Sequence, residues 1–456
     1  MKITKNITRG NIYKNYILYA TPLILSSILA SLYSTVDAVI AGKFINEYAL
    51  GAISATSSFD ILFTSFFNGF AGGFAVFIAQ LFGKEDFGAI KRHSVNMTIF
   101  VAIVSVITSI FAILFKNQVM DYLNIDPILR KDAETYFIIY TSSYIFSFVN
   151  MILLRILYAL GVTSFSVLTS ILSAVVNITG NLVSVLIFDL GVAGLAFSTV
   201  LSVMFVTVVY VYMVIKAFGE LKSEKVSYRF SMKTVIDTLS YTIPAAIQKT
   251  AFHVTGIFIA PALNGLGAAA TTGYSVMNRM YSFCIQSFLN VCSAVDCHTA
   301  QAVGEGNVPK IRRGLVAGLW TNIAMLTPFL IIFSVFARPI ALVFFPAGYQ
   351  GPALEYAIRF FKIYSVTIYA FMMSHLMHSY LRSIGRVATV LWITILVSAS
   401  RIISTLLLVP FFKMDGIYLG QSISWIIDAL VSVIVYFALY HSKEKLELII
   451  EKTQKL

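Results

Sequence analysis

Charged residues are scarce in this 456-residue sequence. Asp, Glu, Lys and Arg make up 12% of it, whereas about 25% is usual in a soluble domain. Hydrophobic residues make up 58%, and they occur in apolar runs of about 20 to 35 residues, the length that spans a bilayer as a helix. Such runs are too long for the strands of a β-barrel. The sequence therefore predicts an all-α integral membrane protein.

Cysteine and the common catalytic motifs are also scarce. The three cysteines, Cys284, Cys292 and Cys297, lie in one apolar segment without CxxC spacing, which argues against a disulfide framework or a cysteine metal site. No P-loop, dinucleotide fingerprint, Ser-His-Asp set or HExxH motif occurs. His375 and His378 have no nearby Glu, so we expect no metal site there. We predict that the protein is not an enzyme and carries no cofactor.

The apolar segments number twelve. They are predicted at 14-42, 48-82, 90-116, 130-160, 163-188, 192-217, 233-263, 266-303, 309-337, 351-381, 386-410 and 415-441. An even number of spans puts both termini on one side, and most loop Lys and Arg residues fall on that same side, which predicts cytoplasmic termini. This distribution explains the net charge of +12 as an orientation signal rather than a nucleic-acid surface. The first segment is too long for a signal peptide, so we expect it to be retained.

The chain contains an internal duplication. "YATP" from Tyr19 recurs as "YTIP" from Tyr241, and "AQLFGKEDFGAIKR" from Ala79 recurs as "AQAVGEGNVPKIRR" from Ala300. Each copy holds six spans, so both copies enter the bilayer from the same side. This predicts two six-helix bundles related by a pseudo-two-fold axis along the membrane normal, with a central cleft. The predicted parts are an N-terminal lobe (1-217), a cytoplasmic connector (218-232), a C-terminal lobe (233-441) and a cytoplasmic tail (442-456).

Several ionisable residues lie at membrane depth, where a charge costs about 2.5 to 3.5 kcal/mol. They are Asp37, Asp60, Arg155, Lys249, Arg279, Asp296, Arg401 and Asp428. In the second half, Arg279, Arg401 and Asp428 share one depth, and Lys249 and Asp296 share another. For these five residues of the second half, the sequence favours neither a structural ion pair nor a functional role over the other. Asp60 could pair with Arg155 only if their helices and depths meet.

Asp37 differs because no basic residue of the first half shares its depth. Asn177 and Asn181 are four residues apart on one helical face at nearly that depth, Thr199 opens the next span, and Tyr33 lies one turn below Asp37. Such oxygens suit a hard monovalent cation, and a carboxylate in a half-dry pocket suits proton exchange. The alternative is a buried acid satisfied by amide and tyrosine donors.

Two further features concern helix shape and substrate. Pro22 removes a backbone donor within the first span, where we expect a bend. Methionine adapts to varied apolar ligands, so methionines and polar residues of the spans are candidates for lining a substrate cleft, although core or lipid-facing positions stay open for the methionines. These candidates are Asn68, Met277, Arg279, Met280, Met373 and Arg401.

The chain resembles the multidrug and toxic compound extrusion (MATE) family in its bacterial form. The resemblance rests on "TPLILSSILASLYSTVDAVIAG", "ALGAISA", "GFAGGFAVFIAQLFGKED" and "GVAGLAFSTV", in order over almost the whole chain. It implies a monomeric secondary transporter of the bacterial cytoplasmic membrane that binds no nucleic acid and exports amphipathic, often cationic, small molecules in exchange for H⁺ or Na⁺ by alternating access.

The resemblance also implies residue roles. Asp37 is similar to the family's cation or proton carboxylate, with Asn177 and Thr199 as polar companions and Pro22 at the helix bend. Family members commonly carry an aspartate where this chain has Asn181, which favours one proton or a weakly held Na⁺. A flippase of lipid-linked saccharides, from the same broad superfamily, is the alternative, supported by the cationic residues Lys249, Arg279 and Arg401.

Overall fold

The protein is described by a computed structural model. It covers residues 3–40, 44–45, 49–123, 125, 127–223, 226, 228–345 and 348–454. Within these ranges, side chains are described except at 32–39, 49–50, 52, 54–55, 57–58 and 452–454.

The described residues are almost entirely helical. The α-helices are α1 (Ile12–Ile40), α2 (Ala49–Gly83), α3 (Phe87–Leu114), α4 (Lys116–Tyr122), α5 (Pro127–Ser142), α6 (Tyr144–Ala159), α7 (Phe165–Leu182), α8 (Gly191–Glu220), α9 (Met232–Asn264), α10 (Ala268–Gly304), α11 (Val308–Val335), α12 (Ala337–Leu342), α13 (Pro352–Arg359), α14 (Ile368–Ser383), α15 (Val387–Phe412), α16 (Met414–Val435) and α17 (Lys443–Gln454). Helical structure thus occupies each of the twelve predicted spans.

Some spans are interrupted. The fourth consists of α5 and α6, which meet at an angle of 45°. Single π-helical turns continue α7 (Val183–Ile187) and α16 (Tyr436–Tyr440), and a π turn with a short 3₁₀ turn joins α13 to α14. By length and hydropathy alone, seven helices in the described part of the chain could cross a membrane, or eight if the bent pair is one span.

The helix surfaces carry large apolar side chains. Trp392 is 69% exposed, Val208 68% and Leu407 64%. Soluble monomers seldom expose such residues over wide areas, because the surfaces would associate in water. In lipid the same side chains are solvated by acyl chains, as expected for membrane-spanning helices.

The chain packs as two units, and two of the three boundaries between them along the chain fall inside helices. Unit 1 comprises Met1–Lys5 and Leu25–Ala246, and unit 2 comprises Asn6–Ile24 and Ile247–Leu456. The chain changes unit within α1 and again within α9, each time two residues after a proline, Pro22 or Pro244. The first part of α1 therefore belongs to the unit built from the second repeat, and the first part of α9 belongs to the unit built from the first.

Each of these two segments packs in the unit built from the other repeat, and we call them the exchanged segments. A glutamine at the equivalent position of each repeat accepts a hydrogen bond from one of them. In unit 2, Gln301 accepts a hydrogen bond from the Ile7 backbone N–H (2.9 Å), and the Tyr16 hydroxyl donates to the Gly314 carbonyl (3.0 Å). In unit 1, Gln80 accepts from the Tyr241 hydroxyl at 3.1 Å. Gln80 and Gln301 are the second residues of the two "AQ" motifs. The duplicated sequence thus supplies the same type of acceptor to both exchanges.

Close contact between α15 and α16 depends on two glycines one turn apart. A Cβ at Gly420 would lie 2.8 Å from Thr405 Cα, and one at Gly416 would lie 2.7 Å from Val409 Cα. Glycines spaced in this way let two membrane helices approach until their backbones touch. Close packing recurs between α7 and α8 in unit 1, where a Cβ at Gly180 would lie 3.0 Å from Ser198 Cβ.

The loop after α10 contains a carboxylate that binds the exchanged N-terminal segment of unit 2. Glu305 accepts hydrogen bonds from Asn6 Nδ2 (2.7 Å), Thr8 Oγ1 (2.6 Å) and Lys310 Nζ (2.6 Å). Burial raises the pKa of the Glu305 carboxyl, but these hydrogen bonds outweigh burial and leave the pKa below its usual value of 4.5. The lowered pKa means that the ionised carboxylate stabilises the folded protein.

We expect Glu305→Gln to lower the stability of the protein at pH 7 by about 1 kcal/mol, because charge-assisted hydrogen bonds become neutral ones. The stabilisation is present above the unfolded pKa and is lost as the pH falls through the lowered folded pKa. The difference in melting temperature between wild type and variant should therefore shrink below about pH 4.5. Glu355→Gln, which removes a surface pair with Arg338, is the matched control and should change little at either pH. Equal melting temperatures of Glu305→Gln and wild type at pH 7 would contradict the prediction.

Candidate functional site

The predicted polar residues of the first repeat lie where α7 packs against α8. Ser184 and Ser198 hydroxyls lie 3.2 Å apart across these helices, and Ser198 also donates to the Gly194 carbonyl. A Cβ at Gly194 would lie 2.9 Å from Ser184 Cβ. Small residues therefore bring the two backbones together and place short polar side chains between them.

Asn177, Asn181 and Thr199 form one hydrogen-bonded chain. Asn181 Nδ2 donates to Asn177 Oδ1 at 3.1 Å, and Asn177 Nδ2 donates to Thr199 Oγ1 at 3.3 Å. Both amides are buried, with exposures of 0% for Asn177 and 1% for Asn181. Two uncharged amides buried in a membrane helix are costly unless their polar atoms have partners. The structure thus brings together the two asparagines predicted on one helical face and Thr199, which was predicted at a similar depth on the next span.

The carboxylate predicted to join this group lies on α1. Asp37 and Tyr33 are part of that helix, but their side chains lie outside the described residues. Pro22 lies within the same continuous helix and is half-buried. The predicted roles of Asp37 and Tyr33 in ion binding therefore stay predictions.

A second acidic group of unit 1 lies among tyrosines. The Tyr140 hydroxyl donates to Asp60 Oδ2 at 3.5 Å, and the other carboxylate oxygen is buried beside Tyr144. Arg155 instead donates to Asn68 Oδ1 at 3.2 Å and stacks over the Tyr158 ring. Asp60 and Arg155 thus have separate partners. Sequence reasoning missed the tyrosines, although their spacing of four residues, 140 and 144, was visible as one helical face.

The candidate substrate residues of unit 2 differ in exposure. Met277 and Met280 are fully buried, Met373 is half-buried and Arg279 is exposed. Arg401 Nη2 donates to Gln421 Oε1 at 3.4 Å. A role in substrate binding therefore stays a prediction for these residues, and among them Arg279 is the cation most open to a ligand.

The buried acids of unit 2 have partners that the depth estimate did not name. Arg382 contacts Asp296 through both carboxylate oxygens, at 3.1 and 2.9 Å. His378 Nε2 lies 3.0 Å from Asp428 Oδ1. Depth along a helix cannot identify these pairs, because it leaves open which helices are neighbours and how each is rotated.

Metal ligation finds no support in the described part of the chain. No three His, Cys, Asp or Glu side chains in it lie together as ligands would. The three cysteines are buried free thiols.

Duplicated sets of membrane helices are the building plan of many transporters. Comparison with known proteins identifies the family. The MatE family model matches residues 22–183 and 244–407, one segment in each repeat. The chain therefore belongs to the MatE family, the MATE transporters that its motifs resemble.

Named relatives agree with this assignment. The chain is 23% identical over 403 residues to "Probable multidrug resistance protein YoeA" of Bacillus subtilis (strain 168), a match covering 86% of this chain and 85% of the relative. It is 21% identical over 296 residues to "Multidrug export protein MepA" of Staphylococcus saprophyticus, covering 63% and 64% of the two chains.

Solved structures share the fold. A mutant of the Vibrio cholerae MATE transporter VcmN matches with a TM-score of 0.88 and 16% identity, over 96% of this chain and 98% of that one. A MOP superfamily transporter from Pyrococcus furiosus matches with a TM-score of 0.87 and 17% identity over 100% of both chains. The predicted all-helical, twelve-span fold is thus confirmed. The Pyrococcus protein is described as having a binding pocket of reverse polarity that suggests a different function, so substrate must be argued from residues rather than from fold.

Proposed function

We propose that the protein is a secondary active multidrug antiporter of the bacterial cytoplasmic membrane, with both termini cytoplasmic. It exports amphipathic, often cationic, compounds in exchange for H⁺ or Na⁺ as a monomer. The observation that carries the proposal is the buried chain from Asn181 through Asn177 to Thr199. Amide and hydroxyl oxygens of this kind can support a cation, or a carboxylate that exchanges a proton.

In the proposed cycle, Asp37 supplies the charge that this polar chain lacks. Cation or proton binding at Asp37 changes α1 near Pro22 and weakens drug contacts, so that the compound leaves on the outer side. The return half-cycle carries the ion inward. The coupling free energy then equals the difference between the free energies of ion binding to the two conformations.

Cationic substrates fit the acidic group of unit 1. Asp60 lies beside Tyr140 and Tyr144, and the Tyr140 ring lies 5.5 Å from that of Tyr136. A carboxylate among aromatic rings is suited to an organic cation, which gains both charge and cation–π attraction. We include Asp60 as a candidate substrate contact.

The deciding experiment is dye transport in proteoliposomes. Ethidium uptake is measured with an imposed Na⁺ gradient at equal pH, and separately with a pH gradient without Na⁺, with the membrane potential clamped in both. We expect one gradient to drive transport. If neither gradient moves dye, the antiport proposal fails, and flipping of a lipid-linked saccharide becomes the function to assay, which Lys249 and Arg279, both exposed, would favour.

A further inference from the structure

Unit 2 contains a buried carboxylate–imidazole pair that the proposed cycle does not use. His378 on α14 and Asp428 on α16 are 5% and 7% exposed. Asp428 lies fourteen residues after Met414, the start of α16, or about 21 Å along the helix. It also lies twelve residues before the end of the following π turn at Tyr440. The pair is therefore near the middle of the membrane-spanning segment.

The energetics of burial govern how many protons this pair holds. An ionised Asp428 beside neutral His378 would leave one negative charge in a medium of low dielectric constant, which is costly. One proton on either group makes the pair neutral overall, either as carboxylate with imidazolium or as carboxylic acid with imidazole. A second proton would leave a positive charge. Two ionisable groups that interact this closely take up and release protons as a pair rather than singly.

Neighbouring groups give the pair little compensating charge. On α14, Arg382 is already neutralised by Asp296 of α10. On α15, Arg401 bonds to the neutral Gln421 of α16. On α16 itself, Ser432 donates to Asp428 Oδ1 at 3.3 Å. On α10, Cys292 is a neutral neighbour of the Asp296–Arg382 pair, and it contacts the neutral Asn322 of α11.

A third titratable group links the pair to the surface of the unit. His375 lies one turn before His378 on α14, is half-buried, and has its ring centroid 5.9 Å from that of His378. Its Nδ1 lies 3.1 Å from the Phe371 carbonyl, so this nitrogen carries the proton of the neutral ring and Nε2 is left for proton exchange. Lys249 of α9 is exposed. His375 is thus placed to pass a proton to or from His378 through its Nε2.

We propose that His378 and Asp428 form a proton-binding site in unit 2, loaded and unloaded through His375. The site is separate from Asp37, which belongs to unit 1. The proton binds to the pair and leaves from it without any other bond changing. As a coupling site it rests on the proposed antiport, but proton binding itself can be measured without transport.

The first test is infrared difference spectroscopy of the purified protein between about pH 5 and pH 9. We expect a pH-dependent carboxyl or imidazole band that is lost in Asp428→Asn and shifted in His378→Gln. Asp415→Asn, which lies on the same helix in a surface pair with Arg359, is the matched control and should keep the band. A band unchanged in Asp428→Asn, or absent from wild type, would overturn the proposal and leave the pair a fixed structural contact.

The double variant His378→Gln with Asp428→Asn controls for misfolding of the single variants. Its two amide side chains can still hydrogen-bond to each other, but neither can titrate. It should stay monodisperse, lose the band, and accumulate ethidium under a pH gradient at least about fivefold less than wild type. Exchange of dye at equal pH should be kept. Wild-type accumulation by the folded double variant would exclude a coupling role. If the band titrates while no gradient moves dye through wild type, the proton site stands and the proposed antiport fails.

Discussion

Asp37→Asn is expected to abolish gradient-driven export. The variant keeps the size and hydrogen-bonding capacity of the side chain but cannot take up a proton or offer a charge to Na⁺. Coupling free energies between two ligands of one protein are typically 1 to 3 kcal/mol, so accumulation of ethidium against a gradient should fall by about 10- to 100-fold. Accumulation in proteoliposomes, with the gradient identified for wild type, is the measurement.

Two comparisons make this result specific. Asp121→Asn removes a surface carboxylate that pairs with Arg130 and should leave accumulation unchanged. Asn177→Ala shortens the buried polar chain without removing a charge, so we expect weaker ion affinity at the same maximal accumulation. Full export by a folded Asp37→Asn protein would show that this carboxylate does not couple ion to drug.

Gly420→Leu is expected to give the largest loss of stability. A Cβ at this position already lies 2.8 Å from Thr405 Cα and 2.9 Å from Thr405 N, which are backbone atoms and cannot rotate away. The added side chain must push α15 and α16 apart along their whole contact. Overpacking typically costs about 1 to 3 kcal/mol, and we expect this substitution to reach the upper end because the clash is with backbone atoms. The apparent melting temperature and the monodisperse fraction in detergent measure the loss.

Gly256→Leu is the matched control, because Gly256 also lies within a long helix but nothing lies within 4 Å of a Cβ there. It should keep the wild-type melting temperature or raise it slightly, since leucine favours the helix more than glycine does. A Gly420→Leu protein as stable as Gly256→Leu would mean that α15 and α16 separate without cost. The close approach of these helices would then have no role in stability.

Parts of the candidate site were accessible to sequence reasoning because they lie on single helices. Asn177 and Asn181 are four residues apart, which places them on one face whatever surrounds the helix. Thr199 follows after one short connection, and neighbouring helices joined by short loops usually pack together. Their hydrogen bonds were therefore predictable. The Asp60 group was not, because it joins α2, the second span, to the bent fourth span formed by α5 and α6, and these spans are not consecutive in the chain.

The sequence by itself determined the membrane location, the twelve helical spans and the duplication. These follow from local quantities, namely the length of apolar runs and the recurrence of short motifs. Membership of the MatE family follows from the same motifs in order, and the family model matches one segment in each repeat.

Only the tertiary structure decided which charges meet and which unit holds each helix end. Asp428 contacts His378, and Asp296 contacts Arg382, although depth alone had grouped these acids with other cations. The first parts of α1 and α9, which end two residues after Pro22 and Pro244, belong to exchanged units. The physical reason is that helical periodicity sets the face and depth of a residue, whereas its neighbours depend on how whole helices rotate and pack.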